Sequence, residues 1–123
     1  MGIPLLDLEA QYLGLKDELD AVWSDVMGNA GFIGGPKVKA LEEAIAEYCG
    51  TKHAVACANG TDALLLILHA AGIGKGDEVV TTPFTFWATV ESTQHVGATP
   101  VFVDIEPGTY NIMAETVARS LGR

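Results

Sequence analysis

The sequence predicts an α/β fold built on a mostly parallel sheet with flanking helices. Two observations carry that expectation. Short apolar runs alternate with helix-length segments, and Gly, Asn or Pro punctuates the joints between them. The runs are also apolar throughout rather than alternately apolar and polar, as in Val101-Phe102-Val103. That is the pattern of a strand buried on both faces, the usual state in a parallel sheet. Strands joined in this rhythm through helices make right-handed βαβ units.

Each element follows from its own residues. Leu15, Leu19, Val22, Trp23 and Val26 recur at helical spacing between acids, so residues 15–27 read as an amphipathic helix. Gly28, Gly31, Gly34 and Gly35 break it into a loop that carries Phe32 and Ile33. Pro36 suits the first turn of a second helix, which presents Val38, Leu41, Ile45 and Tyr48 and ends at Gly50. The run His53–Ala58 is too short for a helix and reads as a buried strand. Asn59-Gly60 turns the chain, and Thr61 or Asp62 caps an apolar helix from Ala63 to about Ala71. The glycines of Gly72-Ile73-Gly74-Lys75-Gly76 close it. Asp77–Thr82 is the second strand, stopped by Pro83, and a helix follows from about Phe86 to Val96. Gly97-Ala98-Thr99 leads into the third strand, Pro100–Asp104, and a turn at Glu106-Pro107-Gly108 precedes a last helix from Ala114. The expected organisation is a helical segment and loop over 1–35, then a partial α/β domain over 36–123 that is truncated at its C-terminus. Three strands are few for a sheet of this kind, where about five or more is usual, so the chain reads as a fragment of a longer protein.

Composition narrows the function. The chain has 123 residues, a length suited to one domain, and its 49% hydrophobic content is too high for a disordered chain. Lys plus Arg is 7 against 16 Asp plus Glu, a formal charge of −9. That charge repels phosphate backbones and anionic membranes, which argues against nucleic-acid and membrane partners. The longest apolar runs fall far short of the roughly 20 residues that span a bilayer. Met1–Asp7 lacks the positive start of a signal peptide, and Leu6 stands where a myristoylation signal after Gly2 needs Ser or Thr. Cys49 and Cys57 have neither CxxC spacing nor a neighbouring His cluster, so they read as reduced thiols of a cytoplasmic protein. His53, His69 and His95 are scattered without ligand spacing, and no metal site is expected. Asn59-Gly60-Thr61 spells a glycosylation sequon, without meaning in a chain that is not secreted.

Two segments carry chemistry. Where the run Ala54–Cys57 passes through Asn59-Gly60 into a helix, the first N–H groups of that helix lack intrahelical acceptors. With the helix dipole they form an anion site, to which the Thr61 hydroxyl adds a donor. A simply capped helix explains the same residues. The glycines at 72, 74 and 76 precede a strand rather than open a helix, and Lys75 is followed by Gly76 rather than Ser or Thr. Neither a dinucleotide fingerprint nor a Walker A loop is present there. The second segment, Pro83-Phe84-Thr85-Phe86-Trp87-Ala88-Thr89, lies just past the end of strand two, where open α/β sheets bind ligands. An aromatic there can stack on a flat ring or can pack in the core. Asp104, ending strand three, resembles a ribose-binding acid but also suits a cap on the next turn.

The whole of Ile3–Arg123 resembles the N-terminal part of the DegT/StrS family of pyridoxal-phosphate-dependent sugar aminotransferases. The matching pieces are Phe32-Ile33-Gly34-Gly35-Pro36 with Leu41-Glu42, Ala58-Asn59-Gly60-Thr61-Asp62-Ala63-Leu64, Gly76-Asp77-Glu78-Val79, Thr85-Phe86 with Ala88-Thr89, and Gly97–Asp104. Each is weak alone; their order and spacing together are specific. The resemblance implies the large domain of an aspartate aminotransferase-like transferase of fold type I. It implies that Gly60, Thr61 and Asp62 bind the phosphate of pyridoxal 5'-phosphate and that Phe86 stacks on the pyridine ring. The family's pyridine-pairing aspartate and its Schiff-base lysine lie farther along than Arg123. Lys16, Lys37, Lys39, Lys52 and Lys75 occupy no matching position, so the chain carries no catalytic residue of its own. The family's reaction moves an amino group from an amino acid, glutamate by expectation, to a nucleotide-linked ketosugar, within a homodimer. Members with another residue at the lysine position dehydrate sugars instead. A non-catalytic relic or regulatory module that binds phosphate or a partner is the alternative.

Overall fold

A computed structural model describes residues 5–122, in two compact units that divide between Ala56 and Cys57. The residues behind the leader and myristoylation readings at Met1–Pro4, and the last residue, Arg123, lie outside the described residues.

The first unit is helical. α1 spans Leu8–Gly28 and begins earlier than its apolar spacing implies, because Asp7 caps it: Asp7 Oδ1 accepts from Ala10 N at 2.9 Å. α2 spans Pro36–Cys49, with Pro36 in its first turn and Gly50 at its end. Gly50 has φ 65°, a left-handed conformation that glycine adopts without strain. Lys37 Nζ lies 3.0 Å from Asp25 Oδ2, which links the start of α2 to the end of α1. The expected strand at 53–58 does not form. A strand exists only with a ladder partner, and the one Ala56 N–H bond goes to a side chain, Glu42 Oε1, at 2.8 Å.

The second unit contains the βαβ rhythm. It runs α3 (Gly60–Ala70), β1 (Glu78–Thr81), α4 (Ala88–His95), β2 (Thr99–Phe102) and α5 (Ala114–Leu121). β1 and β2 pair in parallel, with Glu78 opposite Thr99 and Thr81 opposite Phe102. α4 is the crossover and packs on both strands and on α3. The expected three-stranded sheet is therefore two-stranded here. Its core is made of small residues: Ala88, Ser92 and Thr93 of α4 with Thr81, Ala98 and Val103. The buried hydroxyls are satisfied within the helix, Ser92 Oγ donating to Ala88 O at 2.7 Å and Thr93 Oγ1 to Thr89 O at 3.2 Å. Gly97, at φ 84°, turns the chain into β2 close beside Lys75. After β2, Ile105 and Ile112 form an antiparallel bridge around a tight turn, a small hairpin the sequence announces only as a turn at 106–108. No helix among the described residues is long and apolar enough to cross a membrane.

Candidate functional site

All four residues expected to bind cofactor lie in the second unit. Gly60, Thr61 and Asp62 form the first turn of α3. The cap is Asn59, not Thr61 or Asp62 as its neighbours imply. Asn59 Oδ1 accepts from Asp62 N at 2.9 Å, and Asn59 Nδ2 donates to Asp62 Oδ2 at 3.0 Å. Asn is among the best N-caps because its short amide reaches back to the first turn. Pairing with an acid three residues on is the signal that identifies it. Cys57 Sγ, 3.3 Å from Asn59 O, also touches this turn.

This cap decides which donors remain. The Asp62 N–H is already taken. The N–H groups of Gly60 and Thr61, and the Thr61 hydroxyl, make no hydrogen bond among the described residues. The turn therefore offers two adjacent backbone donors and a hydroxyl at the positive end of an 11-residue helix, an arrangement suited to a phosphate group.

Phe86 stands in the bend between β1 and α4. Its carbonyl accepts from Thr89 N at 3.1 Å, so its backbone is held at the mouth of the helix while the residue as a whole is 79% exposed. A shallow concavity around it is lined by Pro83, Thr85, Trp87, Val90 and Phe102. The neighbouring Phe84 is engaged elsewhere: its ring stacks on Tyr110, centroids 5.4 Å apart and planes 25° from parallel. Thr85 Oγ1 and Thr89 Oγ1, 3.0 Å apart, tie the bend to α4. The concavity at Phe86 does not include the α3 turn, although α3 and α4 pack together. Asp104 caps locally, its Oδ1 accepting from Ile105 N at 2.8 Å. No cluster of three or more potential metal ligands occurs among the described residues.

The DegT/DnrJ/EryC1/StrS aminotransferase family model matches residues 14–122. The chain belongs to this family. A UDP-2-acetamido-2-deoxy-3-oxo-D-glucuronate aminotransferase of Pseudomonas aeruginosa is 46% identical over 89% of the chain and 31% of its own length. A protein of Geobacillus stearothermophilus named a pleiotropic regulatory protein is 53% identical over 91% of the chain and 30% of its own length. The crystal structure of a DegT/DnrJ/EryC1/StrS aminotransferase from Brucella abortus superposes with a TM-score of 0.94 at 41% identity. That match covers 98% of this chain and 32% of the other. The chain thus spans about a third of the length of the family members it matches. The solved family members are pyridoxal-phosphate-dependent aminotransferases of fold type I, and the short parallel sheet with flanking helices described above is part of that fold.

Proposed function

We propose that this chain supplies the phosphate-binding turn and the ring-stacking aromatic of the cofactor site in a nucleotide-sugar aminotransferase. One observation carries the reading: the α3 turn keeps the Gly60 and Thr61 donors bare, and of the two phenylalanines in the following bend Phe84 already stacks on Tyr110 whereas Phe86 stacks on no ring among the described residues. Bound pyridoxal phosphate would supply the electron sink for amino-group transfer. The residues of this chain hold and orient it. Gly60 and Thr61 receive the phosphate through their N–H groups and the Thr61 hydroxyl, Asp62 anchors the turn through Asn59, and Phe86 fixes the ring plane. The acceptor is a nucleotide-linked ketosugar, the donor an amino acid, glutamate, and the whole protein a cytoplasmic homodimer. None of the five lysines stands at the family's lysine position, so the group that moves the proton comes from outside these 123 residues. A second reading, a non-catalytic regulatory module, is favoured by the name of the Geobacillus relative.

Equilibrium dialysis tests the phosphate site. The chain retains pyridoxal phosphate more strongly than pyridoxal, and inorganic phosphate competes with it. Equal retention of the two aldehydes, as expected for adventitious imines on surface lysines, would refute the assignment of the α3 turn.

A further inference from the structure

The hairpin after β2 holds a residue in an unfavourable conformation. Tyr110 has φ 59°, in the left-handed region that bulky side chains avoid. Such a residue persists where its surroundings over-determine it, and these sites cluster where geometry serves a function. Here the surroundings are explicit. Tyr110 N donates to Glu106 O at 2.8 Å, and Glu106 N donates to Asn111 O at 2.9 Å. The Thr109 hydroxyl donates to the Glu106 carboxylate, and Ile105 bridges Ile112. These restraints set the Tyr110 ring against a residue outside the hairpin, stacked on Phe84.

Phe84 opens the bend that carries Phe86 and, three residues on, Trp87. Its own N–H is held by Thr82 Oγ1 at 3.0 Å, and the bend is tied at its far end by Thr85 to Thr89. Between these anchors the backbone is held at Phe86 and Trp87, whose carbonyls accept from Thr89 N at 3.1 Å and from Val90 N and Glu91 N at 3.0 Å, but the side chains are exposed: Phe84, Phe86 and Trp87 are 64%, 79% and 64% exposed. We propose that Tyr110 is a positioning residue, acting through Phe84 to hold the Pro83–Trp87 bend and so to fix the ring of Phe86 for the cofactor. The clamp stands on this geometry; its link to a cofactor rests on the function proposed above.

The test uses the whole chain with Trp23→Phe, which leaves Trp87 as the single tryptophan of the two. Time-resolved anisotropy of Trp87 then reports motion of the bend. Tyr110→Gly is the informative variant, because glycine accepts φ 59° and keeps the turn while removing the ring. An aromatic pair of ordinary strength shifts the open population by roughly 2- to 12-fold, and the fast component of the decay rises with it. Tyr110→Phe keeps the ring and restores the parent decay. Phe84→Leu reproduces Tyr110→Gly, and combining the two adds nothing further. Unchanged anisotropy in Tyr110→Gly, or additive effects of the two substitutions, overturns the clamp. For the cofactor link, Tyr110→Gly weakens retention of pyridoxal phosphate by a similar factor, and loses that effect when Phe86 is already Ala. An equal loss in the Phe86→Ala background overturns positioning through Phe86. If the unsubstituted chain retains no pyridoxal phosphate, the cofactor reading fails by itself, and the anisotropy series still decides the clamp.

Discussion

At the scale of single residues, the choice between Phe84 and Phe86 illustrates what a sequence can and cannot separate. The two are two positions apart in a bend of three aromatics, so spacing treats them alike, and only resemblance to the family selects Phe86. In the structure the two differ in that Tyr110 stacks on one face of Phe84, while Phe86 has no such partner among the described residues. Nothing in the sequence announces that stack, since it depends on a tyrosine in a left-handed turn 26 positions away. We therefore expect Phe86→Ala to weaken pyridoxal phosphate retention by about 5- to 150-fold, the equivalent of roughly 1–3 kcal/mol of stacking on a flat ring. Phe84→Ala should lose less, and only by loosening the bend. Thr61→Ala removes a hydroxyl donor to a charged group, about 1.5–3 kcal/mol, while the backbone donors of Gly60 and Thr61 remain. Binding to that variant weakens without vanishing. Equilibrium dialysis of the three variants ranks them, and a greater loss in Phe84→Ala than in Phe86→Ala would reverse the assignment.

At the scale of elements, helices were more legible than strands because their signals are local. Pro36 and Gly50 bracket α2 as the sequence implies, and β1, α4 and β2 follow in the predicted order within a residue or two. The misses have local physical causes. α1 extends back to Leu8 because Asp7 caps it, and α3 begins at Gly60 rather than Ala63 because Asn59, not Thr61 or Asp62, is its cap. The run at 53–58 has the composition of a strand, but composition cannot supply a partner, and the ladder is absent. The cap also yields a prediction independent of any ligand. Asn59→Ala removes both bonds to Asp62 and should cost about 1 kcal/mol of α3 stability, whereas Asn59→Asp, which keeps an acceptor for Asp62 N, places a second carboxylate beside Asp62 and recovers only part of it. Hydrogen exchange at Ala63–Leu66 measures this, and unchanged protection in Asn59→Ala would mean the cap is not holding the helix.

At the scale of the whole molecule, the dominant fact is exposed apolar surface. Leu13, Trp23, Tyr48, Val55, Ile67 and Phe86 are among many large side chains more than half exposed, and the buried apolar residues among the described residues are three alanines and a valine. The accessible surface is 9958 Å², whereas two separate compact bodies sharing the chain's 12.9 kDa would together expose roughly 7,600 Å². The family members matched are about three times as long, and surface of this kind is what the remainder of such a fold covers. Two outcomes follow for the 123 residues by themselves. Borohydride treatment with pyridoxal phosphate should leave no stoichiometric adduct on a single lysine: on the function proposed above none of the five is the Schiff-base lysine, and Lys16, Lys37 and Lys39 are already paired with Asp20, Asp25 and Glu43. One lysine labelled at full occupancy would contradict this. The chain should also bind ANS and associate with itself. A parallel pair with two open edges and apolar helix faces presents both unpaired backbone and unburied side chains. Its charge of −9 opposes association only through screened repulsion. Raising the ionic strength therefore shifts the balance toward larger species, the opposite of what an ion-paired interface would do. Light scattering at low and high salt reads the direction directly: growth with salt, together with ANS fluorescence, marks apolar association, and a compact, ANS-silent monomer at both salts would mean that these residues close a core by some arrangement other than the one described.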